Sequence, residues 1–287
     1  MHISVFAPTL SPRGTPDVLE AIARAADENG IHCLWVPEHV VLFDDYDSFY
    51  PYSDTGKIPA GGDIGMMDPF VALSFLAAAS ERVRLGTGIC LVPQRNPVYT
   101  AKEAASVDWL SNGRLDFGVG VGWLAEEFEA LQVPFEHRGT RTREYLEVIR
   151  RLWCDPLSEF EGEFYTLPPC RAYPKPVQSP HPPIFFGGES DAALQRVADI
   201  GQGWYGFNLE PEEVEPHTRR LDELLSNKGR SLDEVEIVIS PYLRRPTRDL
   251  VQSYRDAGVN QIVLMMPGRD LPSMTDAIRQ IADDFIE

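Results

Sequence analysis

Eight short apolar runs, each followed by a helical pattern, constrain the fold of this chain more than any other feature of its sequence. The runs cover His2–Ala7, Ile31–Pro37, Val83–Leu91, Leu115–Val121, Pro183–Phe186, Gly203–Phe207, Val235–Ser240 and Asn260–Met266. The helical patterns lie between Pro16 and Gly30 and near 69–80, 97–111, 139–153, 190–200, 211–227, 247–257 and 272–286. This alternation predicts an α/β fold, a (β/α)8 TIM barrel with long insertions that forms a single domain over residues 1–287.

Two segments are longer than ordinary loops, at about 38–67 and about 155–182. The first follows a strand, and the loops that follow strands build the active site of such barrels, so it is a candidate lid or substrate wall. The second follows a helix, which favours a structural excursion before the fifth strand. The aromatic residues of the first segment predict either an aromatic-lined pocket or a dimer interface. They are Phe43, Tyr46, Phe49, Tyr50 and Tyr52.

Charge and targeting signals narrow the possible partners. The chain has 44 acidic and 26 basic residues, a formal charge of -18, so its field should repel nucleic acid and anionic membranes. The first residues resemble a strand rather than a signal peptide, and no apolar run approaches 18 residues. We therefore expect no nucleic-acid or membrane partner, and any anionic ligand must be held by local groups.

The cysteines and histidines give no sign of a metal or disulfide framework. Cys33, Cys90, Cys154 and Cys170 are far apart and form no C-x-x-C pair, which is typical of reduced thiols in a cytoplasmic protein. The six histidines are scattered without a ligand spacing. We therefore expect a cytoplasmic protein without a dedicated metal site.

The segment Phe117–Trp123 contains glycine at 118, 120 and 122 but is not a dinucleotide-binding loop. The fingerprint G-x-G-x-x-G would need a third glycine at position 123, where this chain has tryptophan. We interpret the segment as the fourth barrel strand, in which Gly118 and Gly120 serve packing. Gly122 and Trp123 then lie at its carboxyl end, where a planar ligand could pack on the main chain.

Two other strand ends carry candidate chemistry. The strand before Gly187 runs through two glycines into a helix, and a helix N-terminus can bind phosphate without basic side chains. Only the backbone of Glu189 should contribute there, and an ordinary strand-to-helix turn is the alternative. The strand before Glu38 ends in that carboxylate and in His39, an imidazole suited to proton exchange near neutral pH.

Taken in order, these motifs resemble the luciferase-like monooxygenase superfamily, in particular its coenzyme F420-dependent oxidoreductase branch. The resemblance extends over nearly the whole chain, and the order of the segments makes it specific. The segments are Trp35–His39, Leu85–Ile89 with Pro93–Pro97, Leu110–Trp123, Glu126–Phe128, Arg138–Tyr145 and Pro183–Ser190.

The resemblance implies a flavin or 5-deazaflavin held over the carboxyl mouth of the barrel, with its ring against the third strand. Members of the deazaflavin branch commonly carry a non-prolyl cis peptide there, which corresponds to Gly88-Ile89. The implied contacts are Glu38 and His39 near the ring or substrate; Thr87, Gly88 and Ile89 under the ring; Gly122 and Trp123 beside the ribityl and phosphate region; and Gly187, Gly188, Glu189 and Ser190 on the phosphate.

The implied function is hydride transfer between coenzyme F420 and an unidentified small organic substrate, with Glu38 and His39 as catalytic residues and His39 handling the proton. Trp123 replaces a carboxylate found in sugar-phosphate dehydrogenases of this branch, which argues against that subtype. Arg138, Arg141 and Arg143 would grip a phosphate or the acidic tail of F420, or form a solvated helix start. The alternatives are an FMN-dependent two-component monooxygenase and a non-catalytic flavin-binding barrel. Members of the superfamily are commonly homodimers.

Overall fold

A closed barrel of parallel strands forms the centre of the structure, a computed structural model that describes residues 1–59 and 64–286. Residues 60–63 of the first predicted insertion, and Glu287, lie outside the described residues. The strands in chain order are β1 (His2–Phe6), β2 (Cys33–Val36), β3 (Arg84–Thr87), β4 (Cys90–Leu91), β5 (Leu115–Gly120), β6 (Ser158–Glu161), β7 (Thr166–Cys170), β8 (Ile184–Gly187), β9 (Gly203–Phe207), β10 (Glu236–Ser240) and β11 (Gln261–Leu264).

The strand order confirms the predicted (β/α)8 barrel. Neighbours run β3-β2-β1-β11-β10-β9-β8-β5-β4, and the sheet closes because β3 pairs with β5 as well as with β2. Gly88 and Ile89 separate β3 from β4, so these two short strands together occupy one of eight positions in the barrel. Each of the eight predicted runs overlaps one of the eight strand positions of the barrel. β6 and β7 lie outside the barrel sheet and form a separate antiparallel hairpin.

Helices surround the barrel in the predicted places. The helices of the described residues are α1 (Pro16–Glu28), α2 (Pro69–Ala78), α3 (Pro97–Leu110), α4 (Ala125–Ala130), α5 (Arg138–Cys154), α6 (Asp191–Ile200), α7 (Pro211–Ser226), α8 (Arg248–Asp256) and α9 (Leu271–Phe285). Asp68 and Asn96 start α2 and α3 by accepting hydrogen bonds from backbone N–H groups of the first turn. The sequence pattern does not predict α4, because six residues are too few to show a helical repeat.

The second long insertion lies at the amino end of the barrel, as its position after α5 predicts. It contains the β6–β7 hairpin, and its later part is tied to the start of β5. The Gln178 side chain donates to the carbonyl of Leu115 over 2.7 Å, and the Asp108 carboxylate accepts from the backbone N–H of Val177 over 2.7 Å. The insertion is therefore a structural element, far from the carboxyl ends of the strands.

The barrel interior is filled by large side chains that pack against glycines. Trp35 and Tyr205 lie in a buried cluster inside the strands, with ring centroids 5.0 Å apart. A Cβ atom on Gly86 would lie 2.4 Å from Trp35, and one on Gly118 would lie 2.0 Å from the carbonyl oxygen of Thr87. These contacts confirm Gly118 as a packing glycine. Within the described part of the chain, no helix is both long and apolar enough to cross a bilayer.

Candidate active site

A cavity of about 480 Å³ opens at the carboxyl ends of the barrel strands. Its lining includes residues that follow β1, β3, β5 and β11, the long segment that follows β2, and Gly187 at the end of β8. Most of the predicted site residues meet in its wall, although they are far apart in sequence. Those lining the cavity are Glu38, His39, Gly88, Ile89, Gly122, Trp123, Gly187 and Gly188.

His39 is held in place by a carboxylate from a helix. Its Nδ1 atom lies 3.0 Å from Oε2 of Glu127, in the first turn of α4. The carboxylate of Glu127 is fully buried, and the side chain of His39 is only 10% exposed. Gln94 donates to the same Oε2 atom over 3.0 Å. The second ring nitrogen of His39, Nε2, therefore remains available to a molecule in the cavity.

Glu127 also holds the chain that follows His39. Its Oε1 atom accepts a hydrogen bond from the backbone N–H of Val40 over 2.6 Å. Burial alone would raise the pKa of Glu127, but the hydrogen bonds from His39, Gln94 and Val40 outweigh it and lower the pKa. The carboxylate is therefore ionised near neutral pH. An ionised acceptor keeps a proton on Nδ1 of His39, which leaves Nε2 as the ring nitrogen open to a molecule in the cavity.

Glu38 is a buried carboxylate that ties two strands together. One oxygen accepts from the backbone N–H of Leu91 over 2.5 Å, and the other accepts from Nε of Arg95 over 2.6 Å. Arg95 also pairs with Asp68 and Glu103. Both oxygens of Glu38 thus have partners in the protein, and the side chain fixes the segment after Ile89 against the end of β2.

The interruption between β3 and β4 shapes the floor of the cavity. The Gly88-Ile89 peptide bond is cis, as the resemblance implies. The side chain of Ile89 occupies the space beside two glycines, because a Cβ atom would lie 2.2 Å from Ile89 Cδ1 if built on Gly120 and 2.5 Å if built on Gly187. Gly120 is thus a packing glycine. Thr87 does not line the cavity; it is buried, and its hydroxyl donates to the carbonyl of Gly118 over 2.6 Å.

Gly122 and Trp123 reach the cavity, whereas Gly118 and Gly120 do not. Gly122 has a φ of +78°, and a Cβ atom there would lie 2.8 Å from Phe128, so both the backbone and the packing require glycine. The Trp123 ring packs on His39 at a centroid distance of 5.8 Å. The interpretation of the carboxyl end of this strand as part of a ligand site therefore agrees with its position in the wall.

Residues 40–59, which we call the lid, cover one side of the cavity. Tyr50 packs on Trp123 at a centroid distance of 5.1 Å, and both line the cavity. Tyr52 lines it as well, and Tyr46 packs on Trp123 at 5.7 Å. Phe49, in contrast, is 66% exposed. The aromatic-lined pocket expected from the sequence is thus built mainly by two of the five aromatic residues, Tyr50 and Tyr52.

Three further hydrogen bonds hold the lid to α4. The Glu126 carboxylate accepts from the backbone N–H groups of Asp47 and Ser48, over 2.7 and 3.1 Å. The hydroxyl of Ser48 accepts from the N–H of Ala125, the first residue of α4. Burial alone would raise the pKa of Glu126, but its hydrogen bonds lower that pKa to about 2. The lid thus supplies the cap that α4 lacks in its own sequence.

The far edge of the lid contacts the predicted phosphate loop. The hydroxyl of Tyr52 donates to Glu189 over 3.1 Å, and the other Glu189 oxygen accepts from the N–H of Phe207 over 2.9 Å. Burial raises the pKa of Glu189, although both hydrogen bonds oppose it. Ser190 caps α6 by accepting from the N–H of Ala193. Gly187 and Gly188 line the cavity, whereas Glu189 and Ser190 do not, and the side chains of Glu189 and Ser190 have partners in the protein.

A group of arginines lies where α5 meets α6. Arg138 donates to the carbonyl of Gly122 over 3.1 Å. Burial and the positive charges of Arg143 and Arg138 lower the pKa of Arg196 on α6. Within the described residues, no carboxylate opposes this shift. Arg141, in contrast, is buried and donates to the backbone carbonyls of residues 93, 134 and 136. Of the three arginines singled out in the sequence, two therefore belong to this cationic group.

Sequence reasoning missed Glu127, Arg196 and Tyr205. Glu127 stands within the quoted segment Glu126–Phe128, but two adjacent glutamates do not show which one faces His39. Arg196 is one basic residue on an amphipathic helix, and Tyr205 is one aromatic residue in a barrel strand. Among residues 1–59 and 64–286, no group of three or more histidine, cysteine or carboxylate side chains is placed to hold a metal.

Comparisons with known proteins agree with this architecture. Residues 1–260 match the family model for luciferase-like monooxygenases. The chain is 30% identical to an uncharacterised protein of Mycobacterium tuberculosis over 263 residues, which are 91% of this chain and 92% of the relative. It is 32% identical to the oxygenase component of a flavin-dependent trigonelline monooxygenase of Acinetobacter baylyi over 171 residues, 59% of this chain and 42% of that protein.

A similar fold occurs in the F420-dependent tetrahydromethanopterin reductase of Methanopyrus kandleri. The two structures superpose with a TM-score of 0.77 at 19% sequence identity, and the match covers 100% of this chain and 98% of the reductase. Proteins similar to this chain therefore include both an F420-dependent and a flavin-dependent enzyme.

Proposed function

The chain belongs to the luciferase-like monooxygenase family of oxidoreductases, and from this we propose that it transfers a hydride between coenzyme F420 and a small organic substrate. The observation that carries the proposal is the pair formed by His39 and Glu127 at the wall of the cavity. When a hydride adds to a carbonyl carbon the oxygen gains a proton, and when a hydride leaves the carbon of an alcohol the oxygen loses one; this pair is built to exchange that proton.

The residues present fit a planar cofactor with an anionic tail. Gly88, Gly122, Gly187 and Gly188 line the cavity, and without side chains they let a flat ring approach the main chain. Arg138, Arg143 and Arg196 form a cationic group that could hold the tail. Within the described residues, no carboxylate neutralises the charge of Arg196. An anion held there would relieve the mutual repulsion of the guanidinium groups.

When bound, the deazaflavin supplies a ring carbon that accepts or gives a hydride. The protein must then position the substrate and manage the proton. His39 receives the substrate proton at Nε2 in the oxidative direction and returns it in the reverse direction. Glu127 stabilises the imidazolium that forms, since it accepts from Nδ1 and stays ionised.

Glu38 has a positioning role in this proposal rather than direct contact with the reacting atoms. Its two hydrogen bonds to Leu91 and Arg95 hold the segment that follows Gly88 and Ile89 in register with the end of β2. Loss of this carboxylate would leave the partly buried guanidinium of Arg95 with fewer partners and would loosen the floor of the cavity.

The lining favours an uncharged and largely apolar substrate. Four methionines contribute to the wall, together with the aromatic side chains of the lid. They are Met66, Met265, Met266 and Met274. In the described part of the chain the charged lining residues are Arg13 and Glu38, with His39 as a titratable group, and Glu38 is already paired with Arg95. We propose an alcohol, carbonyl compound or activated alkene with a mainly apolar body.

A second candidate function is an FMN-dependent monooxygenase that receives reduced flavin from a separate reductase. The 32% identity to the trigonelline monooxygenase favours it, although that match covers 42% of the relative. A barrel that binds flavin without catalysis is the third candidate, from the family resemblance alone.

Cofactor titration separates these candidates. Purified protein is titrated with oxidised F420 and, in parallel, with FMN, and the tryptophan fluorescence is followed because Trp123 lies in the cavity wall. We expect F420 to bind at least tenfold more tightly than FMN, and turnover of F420 with one member of a panel of alcohols, carbonyl compounds and activated alkenes. A preference for FMN would refute the proposal, and tight binding without turnover would favour the non-catalytic barrel.

We also propose that the protein is a single-domain, cytoplasmic homodimer. The four cysteines are unpaired thiols, as expected in a reducing compartment. The neighbouring helices α2 and α3 expose large apolar side chains to solvent, and this surface suits a second copy of the chain. These side chains are Val71, Phe75, Tyr99, Trp109 and Leu110. Light scattering should show a dimer that Val71→Glu dissociates; a monomeric wild type would contradict the dimer.

A further inference from the structure

The hydroxyl of Tyr205 is a buried polar group without a hydrogen-bond partner among the described residues. Tyr205 belongs to β9 and is 2% exposed. Burial raises the pKa of Tyr205, and a hydrogen-bond-like contact with the Ser240 side chain opposes this shift, but that contact does not reach the geometry of a hydrogen bond. Leaving such a group unpaired is costly, so an unpaired buried hydroxyl in a folded protein points to a partner that binds from outside the chain.

The position of this hydroxyl indicates where that partner lies. Tyr205 lines the cavity, and a Cβ atom built on Gly88 would lie 3.4 Å from its hydroxyl oxygen. The ring of Tyr205 packs on Trp35 at a centroid distance of 5.0 Å. Gly88 has no side chain, so no Cβ atom stands between the buried hydroxyl and the part of the cavity that Gly88 lines, next to the interruption between β3 and β4.

We propose that the Tyr205 hydroxyl donates a hydrogen bond to a carbonyl oxygen or ring nitrogen of the planar cofactor ring that binds beside Gly88. This inference rests on the proposed function, because it requires a heteroaromatic ring at that place. Burial raises the pKa of Tyr205 well above its ordinary value, so the hydroxyl keeps its proton and acts as a donor. It binds and orients the ring, and the proton transfer remains with His39.

Tyr205→Phe tests the proposal, because it removes one oxygen atom and keeps the ring that packs on Trp35. In the ligand-free protein we expect an equal or higher melting temperature, since the variant no longer buries an unpaired hydroxyl. With ligand, we expect the affinity for the cofactor that the wild type binds, F420 or FMN, to fall about 2- to 12-fold, the loss of one hydrogen bond. The absorption band of the bound ring should shift towards that of the free cofactor.

Tyr254→Phe is the matched control. Tyr254 is fully buried outside the cavity lining, and its hydroxyl donates to the carbonyl of Leu209 over 2.6 Å. The control should lower the melting temperature and leave cofactor affinity unchanged, which is the opposite pattern to that expected for Tyr205→Phe.

Three results would overturn the inference. If Tyr205→Phe lowers the melting temperature and leaves affinity and absorption unchanged, the hydroxyl has a structural partner. If cofactor binding is unchanged but the KM of a substrate rises, the acceptor belongs to the substrate and not to the ring. If the wild type binds neither F420 nor FMN, the proposed function fails first and the assignment of a ring acceptor fails with it; the titration of the wild type distinguishes this case from the other two.

Discussion

Replacing Glu127 by glutamine removes one buried negative charge from behind His39 with almost no change in shape. The two carboxylate oxygens of Glu127 accept four hydrogen bonds: Oε1 from the N–H groups of Val40 and Val41, and Oε2 from His39 and Gln94. A glutamine side chain has one oxygen and one NH2 group. Whichever way the amide is turned, an NH2 group meets another donor, so either His39 or the lid loses its acceptor.

The expected size of the effect follows from the His39 contact. A hydrogen bond to a charged group contributes about 1.5–3 kcal/mol. The stabilisation is needed most when His39 carries the extra proton, because the imidazolium then lies 3.0 Å from the carboxylate. At about 1.4 kcal/mol for each factor of ten in rate, Glu127→Gln should lower kcat about 10- to 150-fold.

The assay compares single-turnover rates of the cofactor with the substrate found in the panel, for the wild type, Glu127→Gln and Glu129→Gln. Glu129 is an exposed residue on the same helix, so its variant should behave as the wild type. Cofactor affinity should stay within about threefold in all three proteins. The proposed role of Glu127 is wrong if Glu127→Gln keeps the wild-type rate while His39→Asn loses turnover.

Three further predictions concern charge, packing and pH. Arg196→Gln should weaken binding of the anionic cofactor at least several-fold in the same titration, whereas Arg219→Gln, at a solvent-exposed ion pair, should not; equal affinities would contradict a phosphate-binding role. Gly118→Ala should lower the free energy of unfolding in urea by at least about 1–3 kcal/mol, since its methyl group would meet a backbone oxygen at 2.0 Å, while Gly139→Ala should be near neutral. The raised pKa of Glu189 means that ionising this carboxyl opposes folding, so Glu189→Gln should raise the melting temperature at pH 8. The gain should disappear below pH 4.5, where Glu189 is protonated in the unfolded chain as well. An equal gain at pH 4 and pH 8 would contradict this sign.

The barrel could be predicted from sequence because each strand and helix has its own local pattern. The run at Gly203–Phe207 matches β9 at both ends, and the pattern at 97–111 matches α3 within one residue. The packing role of Gly118 could also be predicted, since a glycine in the middle of a buried strand leaves space that a neighbouring strand must fill. These features depend on contacts between neighbouring strands and helices that are present in any barrel of this type.

The partner of His39 could not be predicted in this way. Glu127 is 88 positions further along the chain, and it meets His39 only because α4 starts directly after β5 and turns its first residues towards the lid. The roles of Glu38 and Thr87 depend in the same way on distant partners, Arg95 and Gly118. Sequence position identifies the right strand ends, but the direction in which a side chain points is set by tertiary contacts.

The side chain of Ile89 lies against Gly120 and Gly187, on the two strands that follow it around the barrel. These three positions therefore share one small volume, and none of them can enlarge alone. Mutagenesis libraries aimed at new substrates should vary residues 89, 120 and 187 together, pairing a smaller residue at 89 with alanine at one of the glycines. Single-site scanning would report that larger side chains are not tolerated at any of the three positions, and it would miss the combinations that reshape the floor of the cavity.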